Sequence, residues 1–123
     1  MKFTQLFRVT GATNAITYDD GLKSTDTEPK RLIAVYIQCA AWDPNDQTDI
    51  QGYHERAKVF DIPAKAIPAV ADATTSQSTA PPLYHKQEVE LDIPVGEVFK
   101  VAVKCGSTAV KVRGWYEYEI ISK

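Results

Sequence analysis

The feature that most limits how this chain can fold is a two-residue alternation of apolar and polar side chains. It is clearest from Thr108 to Ile121, where one set of alternate residues is apolar and the other is mostly charged. A β-strand points successive side chains to opposite faces, so this period is typical of a long strand with one face buried. The apolar set is Val110, Val112, Gly114, Tyr116, Tyr118 and Ile120, and the alternate set is Lys111, Arg113, Trp115, Glu117 and Glu119.

Similar patterns predict about eight strands in the 123 residues, and no segment has a helical apolar period of 3.6 residues. Arg31–Cys39 is apolar on both sides, which predicts a central strand covered on both faces. The turn-forming pair Gly106-Ser107 predicts that the last two strands pair as a hairpin. The segment Ile67–Ala71 could be a strand or a helical turn. The predicted strands are Lys2–Thr10, Ala15–Tyr18, Arg31–Cys39, Tyr53–Phe60, Ile67–Ala71, Glu88–Ile93, Phe99–Cys105 and Thr108–Ile121.

These strands predict one all-β domain spanning residues 1–123, built as an antiparallel two-sheet β-sandwich. We expect a jelly-roll-like fold of eight strands in preference to an immunoglobulin-like sandwich of about seven. The positions of Cys39, Trp42 and Cys105 also fit the immunoglobulin Cys–Trp–Cys pattern poorly. Asp72–Pro82 is rich in small and polar residues without apolar anchors, which predicts a flexible loop or an extended arm.

Composition and charge exclude several classes of protein. Hydrophobic residues make up 44% and charged residues 24%, which is typical of a globular chain and not of a disordered one. The net charge of −2 does not suit a strongly basic nucleic-acid-binding protein, so we expect no nucleic-acid partner. Gln5 and Arg8 interrupt the apolar start of the chain, and no apolar run approaches the about 18–20 residues of a membrane span. We expect neither a secretion signal nor a transmembrane segment.

The sequence shows no pattern typical of an enzyme or a cofactor site. His54 and His85 have no second ligand at metal-binding spacing, and Gly-x-Ser-x-Gly, P-loop and Gly-x-Gly-x-x-Gly motifs are missing. We therefore expect a protein that is not an enzyme, with no catalytic residues and no cofactor. Asp43, Asp46 and Asp49 are candidate calcium ligands, but such residues are ordinary turn formers and the EF-hand pattern fails. We expect no metal site there.

Cys39 and Cys105 are the only cysteines, and they form no CxxC pair, which argues against a zinc cluster. The favoured interpretation is two buried free thiols, because free cysteine is among the most buried residue types. A disulfide is the alternative, since the sequence does not place the two Cα atoms.

Trp115 is the leading candidate for an interaction residue because it lies on the otherwise charged face of its predicted strand. A large aromatic side chain in that position should be buried against a loop of the same chain, a partner subunit or a ligand. Trp42, beside the acidic segment that contains Asp43, Asp46 and Asp49, is a second candidate. It could stack on a sugar or cap one end of the core.

Four of the five charged residues from Glu97 to Arg113 are basic. On adjacent strands they could form a basic stripe beside Trp115 that contacts phosphates. Lysine on outer sheet faces is also a common protection against aggregation, and we favour that interpretation. The four residues are Lys100, Lys104, Lys111 and Arg113.

Two segments near the C-terminus carry a resemblance to a known group of proteins. They are Ile93–Val103, with the sequence IPVGEVFKVAV, and Gly114–Ile120, with the sequence GWYEYEI. Both are similar to the closing strands of small single jelly-roll virion proteins, which use such sandwiches as capsid building blocks. The resemblance implies assembly through loops and terminal arms, and it assigns no functional residue.

We therefore expect a structural protein that self-associates, as a virus or phage capsid component does. Its partners would be copies of itself or other virion proteins, and its location the virion. The alternative is a carbohydrate- or cell-surface-binding module that uses Trp42, Trp115 and nearby acidic residues. A third possibility is an enzyme whose site is assembled from scattered residues. The mass in solution discriminates between the first two, because a symmetric oligomer favours the structural role.

Overall fold

The computed structural model describes residues 2–39, 48–63, 84–107 and 109–121, and the regular structure in these ranges is entirely β-strand. No helix that could cross a membrane lies within them. The predicted all-β class is confirmed. Nine strands lie in these ranges, against about eight predicted, because the short strand Leu22–Lys23 was not predicted and the segment Tyr53–Phe60, predicted as one strand, contains parts of two. The predicted strand Ile67–Ala71 lies outside the described ranges. The strands are β1 (Lys2–Thr10), β2 (Ile16–Tyr18), β3 (Leu22–Lys23), β4 (Lys30–Cys39), β5 (Asp49–His54), β6 (Ala57–Pro63), β7 (His85–Ile93), β8 (Val98–Lys104) and β9 (Lys111–Ile120).

The strands form two antiparallel sheets in the order of a jelly roll. The first sheet has the order β1-β9-β4-β7 and the second β2-β8-β5-β6, with β3 also paired to β8. The pairs are nested along the chain, because β1 pairs with β9, β2 with β8, β4 with β7 and β5 with β6. A long hairpin produces this nesting when it folds over into two sheets, so the predicted jelly-roll-like β-sandwich is confirmed.

The core lies between the two sheets and contains inward-facing side chains from both. On β9 the predicted inner face is confirmed, since Val112 and Tyr116 are at most 2% exposed. On β8 the facing residues Phe99 and Val101 are fully buried. Ile120, at the end of β9, is 38% exposed and extends beyond this core. The buried residues at the centre of each strand therefore determine the inward face of each sheet.

The hydroxyl of Tyr116 connects the two sheets across the core. It accepts a hydrogen bond from the Val101 backbone N at 3.0 Å and donates one to Asp19 Oδ2 at 2.7 Å. Asp19 Oδ2 also accepts a hydrogen bond from the Gly21 backbone N at 2.8 Å. Burial, and then the Asp19 carboxylate, raise the pKa of Tyr116 far above its ordinary value of 10, so the hydroxyl stays a proton donor.

The predicted hairpin between the last two strands is wrong. β8 pairs with β2, β3 and β5, whereas β9 lies between β1 and β4 in the other sheet. Their matched alternation shows only that each strand has one buried face, and the two faces meet across the core. β8 ends at Lys104 and β9 begins at Lys111, so the connection around Gly106-Ser107 crosses between the sheets.

Other predicted segments are partly confirmed. β4 lies between β9 and β7 with most residues on both faces buried, as its apolar composition predicted. The single strand predicted at Tyr53–Phe60 is wrong, because the chain turns back at Glu55, where φ is 56°. No glycine, proline or asparagine marks that turn in the sequence. The predicted segments Ile67–Ala71 and Asp72–Pro82 lie outside the described residues.

Both cysteines are free and buried, which confirms the favoured interpretation over a disulfide. Cys39 lies at the end of β4 and is 1% exposed. Burial raises the pKa of the Cys39 thiol to about 11, so it stays protonated and acts as a small apolar side chain at neutral pH.

Candidate functional site

The outer face of the first sheet carries a row of side chains centred on Trp115. In the strand register Leu6 of β1 lies beside Trp115 of β9, Trp115 beside Tyr36 of β4, and Tyr36 beside Lys86 of β7. Phe7 beside Leu6, Tyr116 beside Trp115, and Val35 and Ile37 on either side of Tyr36 are buried in the core. The side chains of Leu6, Trp115 and Tyr36 therefore point outward. We call these four residues, together with Tyr84 just before β7, the Trp115 row.

The aromatic rings of this row pack on one another. The rings of Tyr36 and Trp115 are stacked, with centroids 4.7 Å apart and planes 17° apart. Tyr84 packs on Trp115 at 4.8 Å in a tilted arrangement. Ring pairs of this kind contribute about 0.5–1.5 kcal/mol beyond their buried area. Trp115 is half-buried as a result, whereas Leu6 remains 75% exposed. The row is an ordered apolar surface that the rest of the described chain leaves partly uncovered.

A glycine beside Trp115 lets the two central strands come close together. A Cβ added to Gly114 would collide with the Tyr36 carbonyl oxygen and would lie 3.2 Å from the Phe7 ring. The close approach of β9 to β4 brings Tyr36 and Trp115 side by side. Glycine at position 114 is therefore part of how the sequence builds the row.

Charged residues flank the row with opposite signs at its two sides. On one side Arg113 of β9 lies beside Arg8 of β1. Further from Trp115 on the same side, Lys111 of β9 lies beside Thr10 of β1. We call Arg8, Lys111 and Arg113 the basic end. On the other side Glu117 of β9 is in register with Ala34 of β4, which pairs with Glu88 of β7. We call Glu88, Glu117 and Glu119 the acidic end.

Contacts within the sheet fix the charged groups nearest to Trp115. Arg113 Nε donates a hydrogen bond to Gln38 Oε1 at 3.0 Å, and Gln38 is fully buried. Lys2 Nζ lies 4.0 Å from Glu117 Oε1, whose side chain is 18% exposed. Held groups lose less conformational entropy on binding than mobile ones. Arg113 is therefore preorganised by its hydrogen bond, and Glu117 is largely buried within the sheet.

Lys86 places a positive charge at the β7 end of the row. Its Nζ lies 5.9 Å from the centroid of the Tyr36 ring and 3.7 Å from Glu88 Oε1. The Tyr36 phenol and then Glu88 raise the pKa of Lys86, partly offset by desolvation, so the ammonium is charged at neutral pH. The lysine therefore lies over the Tyr36 ring at the β7 side of the row.

The structure brings together some of the predicted site residues and separates others. Trp115, Lys111 and Arg113 share one face, as predicted. Asp49 begins β5 in the second sheet, away from Trp115. Trp42, Asp43 and Asp46 lie outside the described residues, so their roles remain predictions.

The hypothetical basic stripe does not form, because its four residues are divided between the sheets. Lys100 and Lys104 lie on β8 in the second sheet, and Lys111 and Arg113 lie at or near the start of β9 in the first. The alternative interpretation, lysine on outer sheet faces, fits this arrangement better.

Sequence reasoning missed Leu6, Tyr36 and Tyr84 as members of the site. Leu6 alternates with the buried Phe7 and so had the parity of an outward residue, which was the available signal. Tyr36 lies in a strand that is apolar on both faces, which hid its direction. Their meeting with Trp115 depends on strand register, and register cannot be read from one strand alone.

The outer face of the second sheet carries a smaller aromatic patch. The Tyr18 and Tyr53 rings meet edge to face at 5.7 Å, and Lys100 Nζ lies 5.6 Å above the Tyr18 ring. The Tyr53 hydroxyl donates a hydrogen bond to Gln51 Oε1 at 2.6 Å. We call Tyr18, Gln51, Tyr53 and Lys100 the Tyr18 patch.

The chemistry available on the first face is that of binding. Ring faces, an exposed aliphatic side chain and opposite charges are groups that recognise another surface. Across residues 2–39, 48–63, 84–107 and 109–121, no three His, Cys, Asp or Glu side chains cluster closely enough to hold a metal ion.

Comparison of the chain with family models, curated proteins and solved structures gives no match. The fold assignment therefore rests on strand order and burial. Jelly-roll sandwiches carry many unrelated functions, so function must be argued from the residues of the Trp115 row and its flanks.

Proposed function

We propose that this protein is a non-enzymatic structural subunit that self-associates through the Trp115 row, in the manner of a virus or phage capsid component. The observation that carries the proposal is Leu6, which is 75% exposed and in register with Trp115 on a preorganised aromatic face. In this role its partners are copies of itself or other virion proteins, its location is the virion, and it needs no cofactor.

The make-up of the face supports association with a protein surface. Tyr and Trp are enriched at the centres of interfaces, where truncation of one residue often costs more than about 2 kcal/mol of binding free energy. Here Tyr36, Tyr84 and Trp115 form the centre, and charged residues such as Arg113 and Glu117 surround it. An aromatic centre within a polar rim is the usual arrangement of a protein interface.

The alternative is a carbohydrate- or cell-surface-binding module that uses Trp115 and Trp42. Such a site needs an open ring face on which a sugar can stack. Tyr36 covers one face of the Trp115 indole at an interplanar angle of 17°. That ring face is not open for a sugar to stack on, whereas a protein surface can pack against the row as a whole. For this reason we propose assembly.

The test compares the mass in solution of the parent protein with that of Trp115→Ala by sedimentation velocity over a wide range of concentration. We expect the parent to form an oligomer whose fraction rises with concentration, and Trp115→Ala to weaken association about thirtyfold or more. Tyr18→Ala is the matched control, because Tyr18 is an exposed aromatic residue of the second sheet, and it should associate like the parent.

Circular dichroism must show that each variant keeps its strands. If the parent is a monomer at all concentrations, the proposal is wrong. If Trp115→Ala assembles like the parent but no longer binds an immobilised glycan that the parent binds, the binding-module alternative replaces it.

A further inference from the structure

The charges on the outer face of β9 are ordered about Trp115. Lys111 and Arg113 precede it, and Glu117 and Glu119 follow it, each at alternate positions. With a rise of about 3.3 Å per residue, Arg113 and Glu117 are about 13 Å apart along the strand, too far to pair within one chain. The face is therefore positive on one side of Trp115 and negative on the other.

The neighbouring strands follow this polarity in part, because Lys2 of β1 and Arg31 of β4 are both in register with Glu119. Arg8 of β1 lies beside Arg113. Glu88 of β7 is in register with Glu117 of β9 through Ala34 of β4, the strand between them. At the acidic end Lys2 approaches Glu117 and Arg31 binds Asp92 at 2.6 Å, which reduces the negative charge there but leaves acidic residues in excess. The polarity is thus strongest along β9 and is supported by Arg8 at one end and Glu88 at the other.

We propose that two copies pack face to face through the Trp115 row with their β9 strands antiparallel. In this arrangement Arg113 faces Glu117 of the partner subunit, Lys111 faces Glu119 of the partner subunit, and the two Trp115 side chains meet near the two-fold axis. This proposal rests on the self-association proposed above and names its geometry. A two-fold contact of this kind is isologous, so each charge pair occurs twice.

Charge selects this arrangement over the other two-fold packing of the same face. With the β9 strands parallel, Arg113 would lie over Arg113 and Glu117 over Glu117, and like charges across an interface are unfavourable. Packed sheets align within about 30° of each other, which keeps the charge rows in register near the axis. Lys86 would approach its own copy at the edge of the face, where Glu88, 3.7 Å from its Nζ, offsets the repulsion.

The test is a charge exchange measured as the dimer dissociation constant. Arg113→Glu and Glu117→Arg each place like charges opposite one another at two symmetric positions, and we expect each to weaken the dimer at least about tenfold. The double variant Arg113→Glu/Glu117→Arg should return to within about threefold of the parent, because both pairs are restored with reversed sign. Lys104→Glu, on the second sheet, is the matched charge control and should leave the constant unchanged.

Mixing the two single variants provides a second measurement. A mixture of Arg113→Glu and Glu117→Arg chains should form a heterodimer about as tightly as the parent forms its homodimer. If Arg113→Glu lowers thermal stability by losing its bond to Gln38, the same exchange is made at Lys111 and Glu119.

The outcomes separate this proposal from the one on which it rests. If Trp115→Ala disrupts association but the single charge variants do not weaken it, or the double variant does not restore it, self-association stands and the antiparallel packing is wrong. If the parent never dimerises, both proposals are wrong.

Discussion

The two outer faces of the sandwich both carry aromatic rings beside a lysine, but they differ in what surrounds those rings. The Trp115 row stacks three rings next to Leu6, which is 75% exposed. The Tyr18 patch has two rings edge to face, and the Tyr53 hydroxyl is already bonded to Gln51. On the second face a hydrogen bond within the chain and a lysine above the ring accompany the aromatic pair.

The comparison shows that an outward aromatic residue is a poor sign of an interface by itself. Tyr18 is 48% exposed, yet Lys100 lies above its ring and its aromatic neighbour Tyr53 is hydrogen-bonded to Gln51. Trp115 is less exposed but packs between Leu6, Tyr36 and Tyr84, with charges of opposite sign before and after it on β9. The stacked rings beside Leu6 and the order of charges along β9 distinguish the first face, and single-residue exposure does not.

The largest expected effect comes from placing a charge in the core on which both sheets pack. Val101 is fully buried, so Val101→Asp places an unpaired charge in the core and should destabilise the domain by several kcal/mol or prevent folding. Val59→Asp is the matched control, because Val59 is 43% exposed on β6, and it should melt near the parent temperature. Parent-like melting of Val101→Asp would show that the inner face of β8 is wrongly assigned.

The link between the two sheets can be tested with Tyr116→Phe. The change leaves the buried Val101 N–H without this acceptor and leaves Asp19 Oδ2 with the Gly21 N–H but without the tyrosine donor, so we expect a loss of about 1–3 kcal/mol in the free energy of unfolding. Tyr118→Phe, on the same strand at a less buried position, is the control. Equal losses in the two variants, measured by urea unfolding, would contradict the structural role of the Tyr116 hydroxyl.

Leu6 tests the difference between the faces without disturbing the core. Leu6→Asp places a charge in the centre of the proposed contact, where it would be desolvated, and should weaken self-association on the order of tenfold. Tyr18→Asp makes a comparable change on the other face and should have no such effect. Both variants should keep the parent melting temperature, and equal weakening by the two would remove the distinction between the faces.

The smallest expected effect concerns Asp72–Pro82, a segment outside the described residues that the sequence predicts to be a loop or arm. Replacing it with a short Gly/Ser linker should change stability by less than about 1 kcal/mol, because it has too few apolar residues to anchor in a core. Assembly should be affected more than stability. A large drop in the melting temperature would show that the segment packs within the fold.

Much of the fold was predictable because alternation reports directly on which face of a strand is buried. The inner residues Val112 and Tyr116 and the outward direction of Trp115 all follow from parity on β9. Strand pairing was less accessible, as the wrong hairpin between Phe99–Cys105 and Thr108–Ile121 shows. Two strands that face one core from opposite sheets have the same pattern as two neighbours in one sheet.

The candidate site was predictable in part for the same reason. Trp115, Lys111 and Arg113 lie on one strand, so parity placed them together. Leu6 and Tyr36 join them only through the registers of β1 and β4, which depend on long-range pairing. The order of charges about Trp115 was present in the sequence, but its meaning depends on knowing that this face looks outward from a sheet.

The most direct test of the central claim is the fluorescence of Trp115 as a function of protein concentration. The chain has two tryptophans, so Trp42→Phe leaves Trp115 as the sole reporter. We expect its emission to shift to shorter wavelength as concentration rises, with the same midpoint as dimer formation measured by sedimentation. An emission spectrum that stays constant while the mass doubles would show that the copies meet elsewhere and would contradict the account.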